Sequence, residues 1–525
     1  MKATKNRTIA IMSAAAAMLG LALIGLASCS SGDSSTGQVT TGGSAALQGP
    51  MVFVNNTGDK TLTSVALKGD SGNVVLGTIA SAEFEGVALG DMQFSEGEWI
   101  FLNLGAANKV ATIDPLTGAV PVHETNLATG TRPVHIYRDP TDGEVIWSMN
   151  DGDNTGGTGD DLINCAVQTG SSVTILHNSH LGPGGNPPTV EKTVCVLADG
   201  HHVTAFSSGA GVPKRAFVSS ETGGEIAVID NEPGPAQWTM THRIDLCNPA
   251  KEADPLTCNP ENPTGATAFT PNNAHPHGIR WSKFTQKVYS IQEGYGEIAE
   301  VDPTTLAITN TFDLTGLPYT AFGISPDGRF LLLRGDTTPA TGTKLGVIDL
   351  GTAGTPRKDF VIPELNGTSP GSFKFSPDGN RFYILAGNAA TATKRNLLFA
   401  FDSSKLIPVA PATEPALTLL LNGEISLLQT GGHSMDVLAQ GPTGAGEAKY
   451  IVVSNTGTPG SVSIINAADN SIKQHVTVGP APGGVMVYYP GAATAGNQAT
   501  SSLTGGPKAK PSVLPERLDD HGMPE

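Results

Sequence analysis

The chain has 525 residues, with 31 Lys and Arg against 48 Asp and Glu, a formal net charge of −17. So acidic a balance excludes a nucleic-acid partner, which needs a basic footprint, and suits a soluble, self-repelling surface. With 64 Gly, 37 Pro and no long amphipathic helical period, the composition points to many turns and away from long helices.

Residues 1–28 read as an export leader. Lys2, Lys5 and Arg7 are basic, residues 9–26 are an apolar run, and Leu26-Ala27-Ser28-Cys29 closes it. This ending resembles the bacterial lipoprotein signal. The resemblance implies that Cys29 is lipidated and becomes the N-terminus, anchoring the chain to a membrane. Ser30, a residue other than Asp, implies the outer membrane if the cell is Gram-negative. The other reading is an ordinary signal peptide or a membrane anchor. No later stretch is long and apolar enough to span a bilayer. Without its three basic leader residues the chain carries 28 − 48 = −20. Residues 29–49, rich in Ser, Gly and Thr, are expected to be a flexible tether, and residues 491–525 a disordered tail.

Between them, over residues 50–490, a four-strand phrase recurs. It is plainest at His275-Pro276-His277-Gly278-Ile279-Arg280-Trp281-Ser282, followed by Lys287-Val288-Tyr289-Ser290, Gly296-Glu297-Ile298-Ala299-Glu300-Val301 and Ile308-Thr309-Asn310-Thr311-Phe312-Asp313. The first copy, from Met51, has only three strands. Further copies open near Gly90, Arg132, Gly200, His275, Ala321, Ser372 and His433. The copy from Arg132 is degenerate and carries a Gly/Asp-rich insertion. Ser325-Pro326-Asp327-Gly328 and Ser376-Pro377-Asp378-Gly379 are hairpin turns, since Pro fixes φ and Asp-Gly accepts the tight bend. Pro482-Gly483-Gly484-Val485-Met486-Val487-Tyr488 looks like an opening strand with nothing after it, the one the first copy lacks.

These phrases, with Ser461-Val462-Ser463-Ile464-Ile465-Asn466, resemble YVTN-type β-propeller repeats over residues 51–489. The resemblance implies an all-β single propeller of four-stranded blades. Eight are counted, and seven stay open because of the degenerate copy. Pairing of the C-terminal strand with the N-terminal blade would close the ring and remove its open edges.

Five cysteines divide between roles. Cys29 takes the lipid. Cys247 and Cys258 bracket a loop and suit a disulfide in an oxidising compartment; Cys165 and Cys195 form a second bridge or stay as buried thiols. No Cys-x-x-Cys pair is present, so neither covalent c-type haem nor a zinc ribbon is expected.

Histidines give the main functional signal. Counting from the serine of the opening phrase places His277 level with Thr320 and Gly371. Similar counting adds His202, His433, Gly90 and Gly483, with His135 one residue later and His201 and His275 beside the slot. Imidazoles converging on a ring mouth suit copper, zinc or iron. The propellers of nitrous oxide reductase and haem-type nitrite reductase are similar in architecture, which implies a transition metal or a non-covalent haem at His202, His277 and His433, with His135 in support. This chain lacks their copper domain and cytochrome module. The plainer reading is a common Pro-His-Gly turn whose imidazole bonds to nearby backbone. Propeller lactonases resemble the chain at His275-Pro276-His277 alone, without a catalytic Glu or Arg partner.

The oxygen-rich run from Asp151 to Asp161 matches no EF-hand and reads as a solvated loop before a calcium site. His521-Gly522-Met523 could hold copper only weakly. No nucleophile elbow, His-Glu-x-x-His or phosphate loop occurs. The sequence therefore leaves enzyme status open. It favours a lipid-anchored scaffold that binds a small ligand or a protein partner at the channel mouth. The alternative is a periplasmic metal- or haem-binding redox protein.

Overall fold

The computed structural model describes residues 49–488 apart from 96–98, 116–122, 128–129, 153–170, 179–187, 197–201, 254–257, 259–270, 318, 336–343, 356, 363–368, 388–396, 407–416, 428–431, 441–446 and 458. The leader, Cys29, Cys165 and the tail lie outside the described residues. The chain falls into two units, residues 1–45 and 46–525, and every described residue belongs to the second.

Each repeat copy becomes four antiparallel strands in chain order. In blade 5 these are Pro276–Ser282, Lys287–Gln292, Glu297–Val301 and Ile308–Asp313. The Ser-Pro-Asp-Gly turns work as their residues dictate. Gly328 and Gly379 take φ of 80° and 74°, and the Asp327 and Asp378 carboxylates accept the Arg329 and Asn380 N–H groups at 3.1 Å. There are eight such four-stranded sheets. The degenerate third copy is a complete blade, made of Pro133–Arg138, Val145–Asn150, Ser172–His177 and Thr189–Cys195, so the count of seven falls away.

The orphan strand Pro482–Tyr488 pairs antiparallel with Met51–Asn56 and completes blade 1 with Thr61–Ala66 and Val74–Ile79. The chain is an eight-bladed β-propeller.

A four-stranded sheet has two faces and no core of its own, so each blade buries its faces on its neighbours. Among the described residues the apolar side chains fall into eight clusters, one per blade interface. One joins Phe217 and Val228 of blade 4 to Trp281 and Val288 of blade 5. The cluster that seals the ring joins Val52, Val54 and Val485 to Val462 and Ile464 of blade 8. In blade 5 the second and third strands are largely buried, while the outer strand Ile308–Asp313 faces solvent. First strands meet at the centre: Asp436 of blade 8 pairs with Lys374 of blade 7 and accepts the Val487 N–H of blade 1 at 2.8 Å.

Candidate functional site

The mouth of the ring is the end where first strands begin and second strands stop. Its turns are built alike in three blades. Arg132, His275 and Ala481 each precede a proline that starts a first strand, and their φ values are 46°, 46° and 48°. Such left-handed residues are uncommon outside glycine. Here each presents its carbonyl to the turn after the second strand, accepting the Asp151, Glu293 and Thr57 N–H groups at 3.2, 3.1 and 3.0 Å. Gly294 and Gly58 follow the last two. A Cβ at Gly294 would stand 1.9 Å from the Asn273 carbonyl oxygen, and one at Gly58 2.8 Å from that of Pro480. His275 is therefore a turn residue, because its backbone conformation recurs where histidine does not.

The register then separates the histidines. In blade 5, Pro276 pairs with Gln292 and Gly278 with Ile291, so His277 is an extra, bulged residue. Thr320, Val134 and Gly483 are bulged in the same way in blades 6, 3 and 1. His433 lies in the corresponding irregularity of blade 8, and its side chain is outside the described residues. The first two strands of blade 4 pair without a bulge. His202 pairs with Ser220, as Pro276 pairs with Gln292, so it stands one place before the slot that counting assigned to it. His135 pairs with Met149, one place after the slot. Successive residues point to opposite faces of a strand. Three neighbouring ladder positions thus aim their imidazoles differently.

At the rim, His135, His202 and His277 each meet a separate carboxylate. His135 is buried, and its Nδ1 lies 2.8 Å from Asp91 Oδ2, which precedes the first strand of blade 2. His202 is fully buried, with Nδ1 3.6 Å from Asp151 Oδ1 of blade 3, too long for a hydrogen bond; neither ring nitrogen has a hydrogen-bond partner among the described residues. His277 is half-buried, and its Nδ1 lies 3.1 Å from Glu293 Oε1. That bond, aided by Glu293 and Glu221 charges and opposed by burial and Arg334, raises its pKa above the usual 6.5. In all three cases Nδ1 is the nitrogen that faces the acid. Among the described residues the only three-ligand group is elsewhere, at Asp142, Glu144 and His177.

Beneath this rim the blades diverge. In blades 1, 3 and 8 the second strand ends in Asn56, Asn150 or Asn455. Each amide donates to two hydroxyls of the third strand: Thr61 and Thr63, Ser172 and Thr174, or Ser461 and Ser463. Such buried bonds contribute about 1 kcal/mol each. In blades 4 and 5 the first hydroxyl position carries Glu225 or Glu297 instead. Glu225 is fully buried beside Arg243, and burial pushes its carboxyl up to about 7 against the pull of Arg243 and His202. Glu297 is buried under Lys251, at 2.8 Å, and under the Asn248 amide. Lys251 and Asn248 sit on a strap closed by the Cys247–Cys258 disulfide, which Glu252 ties to Tyr295 and Asn273. Cys195 is also disulfide-bonded, to a partner outside the described residues.

Sequence reasoning missed Glu225, Arg243, Glu293 and the Asn–hydroxyl clamps. The signal was present: Asn closes the second strand in three copies, and Glu opens the third strand in only two. Of the Asp151–Asp161 run, Asp151 and Gly152 alone are described, and His521-Gly522-Met523 is outside.

No family model matches the chain, and no curated protein matches it in sequence. Solved structures do match. The dihydro-haem d1 dehydrogenase NirN, in complex with DHE, aligns at a TM-score of 0.50 and 13% identity, covering 84% of this chain and 75% of that one. The periplasmic gluconolactonase PpgL of Pseudomonas aeruginosa aligns at 0.48 and 15% identity, covering 84% and 99%. Hydrazine synthase of Kuenenia stuttgartiensis aligns at 0.44 and 15%, covering 70% and 97%. At 13% identity the likeness to NirN establishes a shared fold and no activity.

Proposed function

We propose that the chain is an exported, lipid-anchored propeller of the YVTN type that binds a small ligand or a protein partner at its mouth. One observation carries the binding role. Blades 3 to 5 gather ionisable side chains on one rim: Asp151, His202, Glu221, His277 and Glu293 stand near Glu225 and Arg243, whereas blades 1 and 8 close the same level with neutral Asn–hydroxyl clamps alone. Burying charge costs stability unless it is paired, so a ring stabilised only by packing has no need of it. The Leu26-Ala27-Ser28-Cys29 ending supports the anchor through Cys29.

Two experiments test this reading. Cells fed labelled palmitate should label the parent protein and not Cys29→Ser; a parent that takes up no label overturns the lipid anchor. A photo-crosslinking residue at position 277 should give a discrete adduct in cells, while one at Thr141, at the opposite end of blade 3, should not. Equal labelling from both positions overturns the mouth as the binding face.

A metal- or haem-binding redox protein is the second reading, favoured by the acid that faces Nδ1 of each of three rim histidines. An imidazole whose Nδ1 faces a carboxylate keeps Nε2 for a metal. His277, His202 and His135 have this arrangement, each with a separate acid, and His433 would have to complete the set. Copper, zinc or haem bound in stoichiometric amount and lost in His202→Ala and His277→Ala would establish it. A colourless protein that takes up none at the mouth would dismiss it.

A further inference from the structure

The hairpin joining the first two strands of blade 3 lies at the end of the blade away from the mouth, and it is built with care. Asp139 is buried at its start. Its Oδ1 accepts the Thr141 and Asp142 N–H groups at 2.7 and 3.1 Å, and its Oδ2 accepts the Trp147 indole at 3.1 Å and the Asn231 amide at 2.6 Å. The Asp142 carboxylate in turn accepts the Glu144 N–H at 3.1 Å. On the third strand, His177 pairs with Val145, and the Asn178 N–H donates to the Glu144 carbonyl at 3.1 Å. The backbones beneath three side chains are thereby fixed.

Those side chains converge. One ligand atom each from Asp142, Glu144 and His177 lies within 4.8 Å of the others, and His177 Nε2 is 3.7 Å from Glu144 Oε2. No Lys or Arg of the described residues pairs with either carboxylate. Two like charges held this close, with an imidazole between strand and turn, gain from a cation. The geometry points to a divalent transition-metal site at Asp142, Glu144 and His177, of the zinc class. One imidazole nitrogen and two carboxylate oxygens favour zinc over calcium or magnesium, which prefer oxygen alone. Tetrahedral zinc at about 2.1 Å from each ligand sets ligand atoms about 3.4 Å apart, so small rotations of the exposed carboxylates complete the set. Remaining positions on the ion are open to water or to a donor from another molecule. The site shares no residue with the mouth and does not depend on the function proposed there.

Zinc content of the full chain, measured after equilibrium dialysis against Zn²⁺, tests it. His177→Gln and the double variant Asp142→Asn, Glu144→Gln should each lose one zinc equivalent, or bind it at least tenfold more weakly. His475→Gln, on the outer strand of blade 8, should keep that equivalent. All these positions are at least partly exposed, and circular dichroism and urea midpoints matching the parent would exclude unfolding. Equal zinc content in parent and blade 3 variants overturns the site. So does full displacement of that zinc by equimolar Ca²⁺, the mark of oxygen ligands alone.

Discussion

His277 Nδ1 stands 3.1 Å from Glu293 Oε1, joining a bulged residue on the first strand of blade 5 to the residue just past its second strand. The bond to Glu293 raises the His277 pKa, with Glu221 adding to it and burial and Arg334 opposing. Glu293→Gln should therefore return the imidazole toward the usual 6.5, followed by NMR of its ring protons. The raised folded value means that the bond stabilises the fold fully below about 6.5 and that this contribution is lost as pH rises through the folded pKa. Solvent at the rim screens the pair, so the loss should be below about 1 kcal/mol. An unchanged titration in Glu293→Gln would leave the assigned cause without support.

Glu225 has the same sign and a larger lever. Burial raises its carboxyl from 4.5 to about 7, so it contributes stability that is present below 4.5 and is lost as pH climbs through about 7. Urea midpoints should fall between pH 5 and pH 8 in the parent and fall less in Glu225→Gln. Arg243→Met, which strands Glu225 without its partner, should cost about 3–5 kcal/mol at pH 8 and less at pH 5. A pH-independent cost would show that Glu225 stays ionised throughout.

Those two groups also show what the sequence could and could not disclose. Strand order, closure by Pro482–Tyr488 and the eight blades follow from local pattern, since alternating apolar residues and Ser-Pro-Asp-Gly turns act within a few residues. The histidine slot failed for a related reason. Counting from a shared serine assumes unbroken register, whereas a single extra residue turns a side chain to another face. The first strand pair of blade 5 has the bulge and that of blade 4 does not, so His277 and His202 differ in exposure and partner. Contacts between blades, such as His135 with Asp91 or Asp139 with Asn231, join residues 44 and 92 apart and carry no local signature.

The Cys247–Cys258 strap should matter to the mouth more than to the ring. Closing a loop with a sequence separation of 11 contributes about 3 kcal/mol by the chain-entropy argument. Its removal frees Lys251 and Asn248 from the buried Glu297. In Cys247→Ser with Cys258→Ser, hydrogen exchange should quicken at 245–253 and 293–297 and stay slow in blades 1 and 8. Uniform quickening around the ring would mean that the strap supports the whole fold.

Closure itself is tested at Val485. The side chain is fully buried between blades 8 and 1, beside Val52, Val54, Val462 and Ile464, and its residue pairs with Val54 on the first chain strand. Val485→Asp places an unpaired carboxylate there, at a cost of about 4 kcal/mol or more, a large share of the 5–15 kcal/mol typical of a folded domain. Thr477→Asp, on the exposed outer strand of the same seam, should cost less than about 0.5 kcal/mol. Because each blade rests only on its neighbours, opening the seam should unprotect blades 1 and 8 first and leave blades 4 and 5 for last. Hydrogen exchange at rising urea reads that order directly. Simultaneous loss of protection in all eight blades would mean that the ring unfolds as one unit, whichever seam is weakened.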